Sequence, residues 1–369
     1  MKQGWEYKKI GNICNITTGK LDANAANEDG LYPFFTCSRI PLSINTYAYD
    51  CECILIAGNG DLNVKYYNGK FNAYQRTYIL QLKNDVNGVE MRYIFAFFNL
   101  YIEELRRKSI GGIIKYIKLG DLTNALLPLP DITTQLSIVS ELDKINELIR
   151  LKKEQLKDYD NLAQSIFYEM FGDPVENEKG WEVKKIGEIG YVERGAGISK
   201  KDFAEDGLPC IHYGQLHTIL GARTKKHYTS IPHNLLPKYK VAHTGDLVMA
   251  ITSEDVEGSC KSTAWLGNYD VIVGSDAAIL HHEQDGTFLS YYTMTKAFYN
   301  EKAKYAKGFK VTHISTKEIE KISVFLPPLP LQHLFAQRIE QIEHQKSEVT
   351  KAITDLETLL ASRMQHWFE

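Results

Sequence analysis

The chain states one pattern twice. Gly4-Trp5-Glu6-Tyr7-Lys8-Lys9-Ile10-Gly11 returns as Gly180-Trp181-Glu182-Val183-Lys184-Lys185-Ile186-Gly187, and residues 111–171 lie on residues 308–368 without a gap. Each copy is a lobe of mixed pattern followed by a long helical pattern. This excludes a single doubly wound domain and predicts two similar heads with a spacer, an arrangement suited to touching two places on a repetitive partner such as DNA. At 369 residues, each half is long enough to bury a core of its own.

The two connectors carry apolar residues in a strict four-three spacing. The first runs Ile138, Leu142, Ile145, Ile149, Lys152, Leu156, Tyr159, Ala163, Ile166, Met170; the second, 197 residues on, runs Phe335, Ile339, Ile342, Lys346, Val349, Ile353, Leu356, Leu360, Arg363, Trp367. A seam this narrow needs another helix to cover it, so the two predict an antiparallel coiled coil with a lobe at either end and an approximate twofold axis. A helix of about 35–40 residues is about 50–60 Å long. Proline marks the junctions: Leu127-Pro128-Leu129-Pro130 and Leu326-Pro327-Pro328-Leu329-Pro330 close the lobes and admit the helices, because proline is tolerated only in a helix's first turn.

Within the lobes, Cys53–Ala57 and Asp246–Ala250 read as buried strands, while Met91–Lys108 and Leu289–Lys307 carry helical periodicity, so each lobe reads as α+β. The net charge of −3 is unevenly spread: bases outnumber acids by two in residues 1–131 and by one in 178–328, whereas the connecting segments 132–177 and 329–369 are acidic by four and two. Near-neutral lobes with local basic clusters favour phosphate contact only weakly. No apolar run approaches 18 residues and no apolar signal core follows Met1, so the chain reads as cytoplasmic with no membrane association. Cys14, Cys37, Cys51, Cys53, Cys210 and Cys260 share no spacing between the copies and read as reduced thiols without a metal.

Catalytic signatures are missing. Gly11–Lys20 ends Gly19-Lys20-Leu21 without the hydroxyl of a phosphate loop, Gly195-Ala196-Gly197 lacks a third glycine, and no Asn-Pro-Pro-aromatic or Asp-Pro-Pro-aromatic tetrapeptide occurs. Glu6-Tyr7-Lys8 and Glu182-Val183-Lys184 have the Glu-x-Lys form of metal-dependent nucleases, but no upstream Pro-Asp accompanies them, so they read as opening strands. His281-His282 and Cys51-Glu52-Cys53 are isolated pairs with core or surface roles.

The repeated openings, Gly111, Ile117 and Leu122 with their counterparts Gly308, Ile314 and Ile319, the glutamines Gln135 and Gln332 just past the Leu-Pro junctions, and the run Ser165–Pro174 together resemble the specificity subunit of type I restriction-modification systems. The resemblance spans essentially the whole chain. It implies a non-catalytic subunit in which residues 1–131 and 172–328, the latter with a short linker 172–179, are target recognition domains, and the helical segments 132–171 and 329–369 are spacers. It further implies that each lobe reads one half of a split site in double-stranded DNA. Two modification subunits would dock on the helices and methylate adenine, with restriction subunits as optional partners. S-adenosylmethionine, ATP and Mg²⁺ would belong to those partners, and this chain would hold no cofactor.

Base readout needs amides and guanidinium groups on loops positioned by phosphate contacts, in successive major grooves about 34 Å apart. By type and placement the candidates are Lys20, Arg39, Asn59, Lys65, Gln75, Arg76 and Lys115 in the first lobe, and Lys200, Tyr213, Gln215, Arg223, Lys225, Ser253, Lys261, Lys310 and His313 in the second. For helix pairing and subunit docking they are Ile138, Leu142, Ile145, Ile149, Leu156, Tyr159, Ile166, Phe335, Ile339, Ile342, Val349, Ile353, Leu356 and Leu360. The competing reading is a two-headed adaptor or scaffold with a coiled-coil stalk and no DNA role.

Overall fold

A computed structural model describes residues 4–198, 200–233, 239–308 and 311–369, with only the backbone of Lys200. The chain divides into two compact units, Met1–Glu154 with Thr350–Glu369, and Gln155–Val349. Both mix helix and sheet.

In the first unit, the strand Glu6–Lys9 pairs antiparallel with Leu126–Leu129, placing the repeated opening beside the Leu-Pro junction. A six-stranded sheet follows, ordered Cys14–Thr18, Thr77–Leu82, Tyr49–Ala57, Val64–Ala73, Tyr32–Phe35, Leu42–Ile44. Its central strand shows why Cys53–Ala57 has no polar break. Ile54 and Ile56 face a core shared with the helix Met91–Lys108, whereas Cys53 and Leu55 face a second core with Phe35, Phe71 and Ile79. Alternate residues thus enter two apolar layers, as a strand covered on both faces requires. The helix meets the sheet through Tyr93, Ile94, Phe97, Phe98, Ile102 and Leu105, one stripe at three-four spacing.

The second unit repeats the frame: Glu182–Lys185 pairs antiparallel with Ser323–Leu326. Its interior sheets differ, one of five strands centred on Leu247–Ala250 and one of four containing Leu208–Ile211 and Val271–Val273. The continuous helical periodicity expected over Leu289–Lys307 is broken into Gly286–Tyr292 and Lys296–Ala303. The break has a local cause. The Thr293 hydroxyl donates to the Ser290 carbonyl at 2.7 Å, and Thr295, as N-cap, accepts from the Phe298 amide at 3.4 Å, so threonines end one helix and start the next.

The helices Ile132–Phe171 and Leu329–Phe368, 40 residues each, pair antiparallel within each unit. In the first, Glu141 binds Arg363 and Lys153 binds Glu357 at 2.8 Å; in the second, Asp160 binds Lys346 at 2.8 Å and Phe167 meets Phe335 with ring centroids 5.5 Å apart. The seam is apolar where expected: Ile138, Leu142, Ile145 and Ile149 are buried in the first unit, and Phe335, Ile339, Ile342 and Val349 in the second. Leu156, Tyr159, Ile166, Leu356 and Leu360 are half-buried, and Ile353 is buried. The seam's polar members Lys346 and Arg363 are satisfied by carboxylates of the facing helix.

Each lobe also receives a helix end. Phe171 packs among Phe167, Phe288 and Phe335 in the second lobe, and Phe368 against Tyr93 and Phe97 in the first, where Trp367 stacks on Trp5 with the rings 4° from parallel. The two phenylalanines occupy equivalent places in the 197-residue repeat.

Candidate nucleic-acid interface

In the first lobe the candidate residues converge on one edge, around residues 58–63. The Gly58 amide donates to the Arg76 carbonyl at 2.8 Å, the Gly60 amide to the Lys115 carbonyl at 3.0 Å, and the Gln75 amide to the Leu21 carbonyl at 2.8 Å. These bonds bring Lys20, Asn59, Gln75, Arg76 and Lys115, from four stretches of chain, to one place. A groove of about 420 Å³ lies there, lined by Thr18, Gln75, Arg76, Tyr116 and Lys118. Lys20, Arg76, Lys115 and Lys118 are exposed. The local acids are engaged: Asp22 accepts from the Gln75 amide group at 2.6 Å, and Asp121 accepts from the Lys118 backbone at 2.7 Å.

Arg39 and Lys65 flank this edge in an ion-pair network. Arg39 grips Asp61 with two hydrogen bonds of 2.7 and 3.2 Å, and Arg106 reaches Asp61 and the Leu62 carbonyl. The Arg39 hydrogen bond holds the Asp61 carboxyl below the ordinary carboxylate range. Lys65 binds Asn63, and partial burial pulls its ammonium below the usual lysine value.

In the second lobe, Tyr213, Ser253 and Lys261 line a groove of about 1040 Å³, together with His217, Glu254, Asp255 and Lys302. His313 joins its rim through a 3.3 Å contact with the Thr252 hydroxyl, and the Lys261 ammonium donates to the His217 carbonyl at 3.3 Å. The far wall is held from inside. The ammonium of Lys302, only 4% exposed, donates to the carbonyls of Glu257 at 2.8 Å and Ser259 at 2.6 Å, and burial lowers its pKa.

Three other candidates do not gather at this groove. Gln215 is buried, its amide spent on the His212 backbone at 2.9 Å and the Thr229 hydroxyl at 3.2 Å, so residue type alone misplaced it. Arg223, with a side chain 9% exposed, and Lys225 both bind Glu340 of the C-terminal helix. Lys310 lies outside the described residues, and Lys200 is placed only as backbone in the turn Lys200–Asp202.

The lobes share one more device. In the 197-residue frame, Lys118 and Asp121 correspond to Ser315 and Glu318: the Ser315 amide and hydroxyl donate to the Glu318 carboxylate at 3.0 and 2.9 Å. With a 2.8 Å bond from Lys307, these donors pull the Glu318 pKa from 4.5 to about 2, the Lys307 bond contributing most. A depressed carboxyl stabilises the fold above its unfolded pKa and stops doing so as pH falls through its folded one. Glu318→Gln is therefore expected to lower the melting temperature at pH 7, with the deficit closing between about pH 4.5 and pH 2 in calorimetry. A deficit independent of pH would exclude the charge as its source.

The His281 ring donates to the Asp246 carboxylate at 2.8 Å and stacks on Tyr191, while burial lowers the pKa of His282, so both serve the interior. The thiols of Cys14 and Cys260 are pushed up to about 12 by burial, which leaves them unreactive. Among the described residues no group of three or more His, Cys, Asp or Glu is placed to hold a metal, and no helix is long and apolar enough to cross a membrane.

A model of the type I restriction modification DNA specificity domain matches residues 2–158 and 178–358. The chain belongs to this family. Its two matched segments begin beside the two copies of the repeated opening. The type I restriction enzyme EcoDI specificity subunit of Escherichia coli is 27% identical over 95% of this chain and 84% of its own length. The MjaVIII specificity subunit of Methanocaldococcus jannaschii is 23% identical over 97% and 92%. The crystal structure of a type I restriction-modification S subunit from M. genitalium superposes with a TM-score of 0.58 at 13% identity, covering 100% of this chain and 98% of that one, a likeness of fold. As a type I specificity chain, the protein confers DNA sequence specificity and is non-catalytic, the catalysis residing in partner subunits of a restriction-modification complex. Nothing in these likenesses supports the adaptor reading.

The sequence singles out neither Lys118 nor the exposed tip Ile113-Ile114 at the first edge, and it shows Arg106 and Lys302 only as members of basic runs, without the ion pair of the one or the burial of the other. Lys118 was legible as part of the repeated capping pattern. Lys302 was not, since nothing in a helical lysine's neighbours along the chain foretells that it will be buried.

Proposed function

We propose that this specificity chain reads a bipartite site in duplex DNA, each lobe addressing one half through the major groove. The residues that do so in the first lobe are Lys20, Asn59, Gln75, Arg76 and Lys115, flanked by Arg39 and Lys65. In the second lobe they are Tyr213, Ser253, Lys261 and His313. Residues 1–131 and 172–328 act as the two recognition domains. The two long helices set the unread interval and dock two modification subunits, which bring S-adenosylmethionine and methylate adenine in the cytoplasm; ATP and Mg²⁺ serve restriction subunits where these join.

One observation carries the reading: an identical frame presents different reading edges. The strand pairing and helix-end plug recur in both lobes, yet the first edge gathers Lys20, Asn59, Gln75, Arg76 and Lys115 and the second groove Tyr213, Ser253, Lys261 and His313. A shared scaffold with unlike edges fits two half-sites of different sequence. Exposed leucines on the long helices, Leu136, Leu148 and Leu151 in the first unit and Leu162 and Leu334 in the second, support docking of further subunits.

The test is to map methylated adenines in DNA from cells carrying this chain with its modification subunit. A split motif is expected, and one heptad inserted into both helices should lengthen its unread interval while both half-sites persist. A motif with no gap, or a gap unchanged by the insertion, overturns the reading. Arg76→Ala and Lys115→Ala, as phosphate contacts, are each expected to lower the slope of log affinity against log salt by about one. Titration of the assembled complex on its own site at several salt concentrations measures this.

A further inference from the structure

The first lobe's reading edge ends in an apolar hairpin tip. Ile110 and Tyr116 exchange backbone hydrogen bonds of 3.0 and 2.8 Å, closing the five residues 111–115 into a loop. At its tip Ile113 is 104% exposed and Ile114 62%. The tip is held in place rather than trailing: Gly111 has φ +118°, its missing Cβ would lie 2.6 Å from the Ile114 carbonyl, and the Lys115 carbonyl is bonded to Gly60. A fixed loop that holds two isoleucines in water forgoes their burial, which points to a partner that covers them.

The surroundings say which partner. Lys20, Arg76, Lys115 and Lys118 lie on the same edge, and the nearby carboxylates Asp22, Asp61 and Asp121 are hydrogen-bonded within the lobe. An apolar tip beside a cationic edge suits duplex DNA, whose major groove is bordered by phosphates and carries one apolar group on base edges, the thymine C5-methyl. Among its described residues, the second lobe keeps the base of this loop. Lys307 and His313 form the equivalent bridge, Gly308 has φ +128°, and Val311, in the position of Ile114, is 54% exposed.

Resting on the two-half-site reading, we propose that Ile113 and Ile114 determine specificity by packing against a thymine methyl in the first lobe's half-site. The experiment is a thermodynamic cycle on the assembled complex and the DNA it selects. Each thymine of the half-site is replaced in turn by deoxyuridine, which removes only the methyl. The wild type is expected to lose about three- to tenfold in affinity at one or two positions, a methyl-sized effect. The double variant I113S/I114S should bind the thymine duplex about as weakly as the wild type binds the uracil duplex and be indifferent to the replacement. I113V/I114V, which keeps a branched apolar tip, should retain the sensitivity. Equal methyl sensitivity in wild type and serine variant, or none at any thymine, overturns the assignment while leaving the two-half-site reading standing. A wild-type complex that selects no preferred sequence overturns both.

Discussion

Replacing Phe171 by Ala is expected to lower the unfolding free energy of the second unit by about 3–5 kcal/mol, the range for emptying a fully buried phenylalanine site. The side chain is 0% exposed and stands at the last residue of the central helix, with ring centroids of Phe167 and Phe288 each 5.0 Å away and Phe335 at 5.4 Å. Those neighbours come from both long helices and the lobe helix Gly286–Tyr292, so no single one can fill the hole without leaving its own contacts. The equivalent Phe368→Ala in the first unit should cost less. Phe368 is 9% exposed and touches two ring partners, Tyr93 and Phe97, rather than three, so less burial is lost on truncation. Denaturant titration of both variants checks the asymmetry: equal losses would show the C-terminal plug to be as firmly seated as the internal one.

The frame was legible because it obeys short-range rules. Four-three spacing fixes which side of Ile138 or Ile339 must be covered, and a proline junction fixes where a helix can begin, whatever the lobes do. The candidate edges obey no such rule. Lys20, Asn59, Gln75, Arg76 and Lys115 meet only because backbone bonds join loops far apart in sequence. Residue type named these five, which the structure brings together, and also Gln215, whose amide closes an internal turn instead of facing solvent. A search for cations and amides was also blind to Ile113 and Ile114, since apolar residues in a loop look like core until their exposure is known. The interrupted helix near Thr293–Thr295 shows the same limit: apolar periodicity continues across a break that hydroxyl caps impose.

Gln332→Leu and Gln135→Leu should each cost about 2–4 kcal/mol, although the volumes are similar and the new side chain is apolar. Both glutamines are 0% exposed and do the same work in their own unit. The Gln135 amide group donates to the carbonyls of Gly88 at 3.0 Å and Pro130 at 2.8 Å, and its oxygen accepts from the amide of Glu90, the N-cap of the helix Met91–Lys108. Gln332 donates to the Pro327 carbonyl at 2.8 Å and to Gln284 at 2.9 Å, and accepts at 3.0 Å from the amide of Asp285, the N-cap of Gly286–Tyr292. Each thus fastens the start of a lobe helix to the first turns of a long helix, across a proline junction that supplies carbonyls but no amides. Leucine removes one acceptor and two donors at once. It leaves a buried proline carbonyl and a half-buried N-cap amide without partners, at about 1–3 kcal/mol each and less than additively. Gln135→Glu separates this from packing. Glutamate keeps the acceptor for Glu90 but sets a buried carboxylate against two carbonyls, so its folded pKa must rise above its unfolded value. Such a group binds its proton more tightly in the folded state, and its penalty should shrink as pH falls toward 4 and grow toward neutrality; its ionised form destabilises the fold, whereas that of Glu318 stabilises it. A glutamate variant whose stability relative to wild type ignores pH would mean that the amide donors carry none of the load.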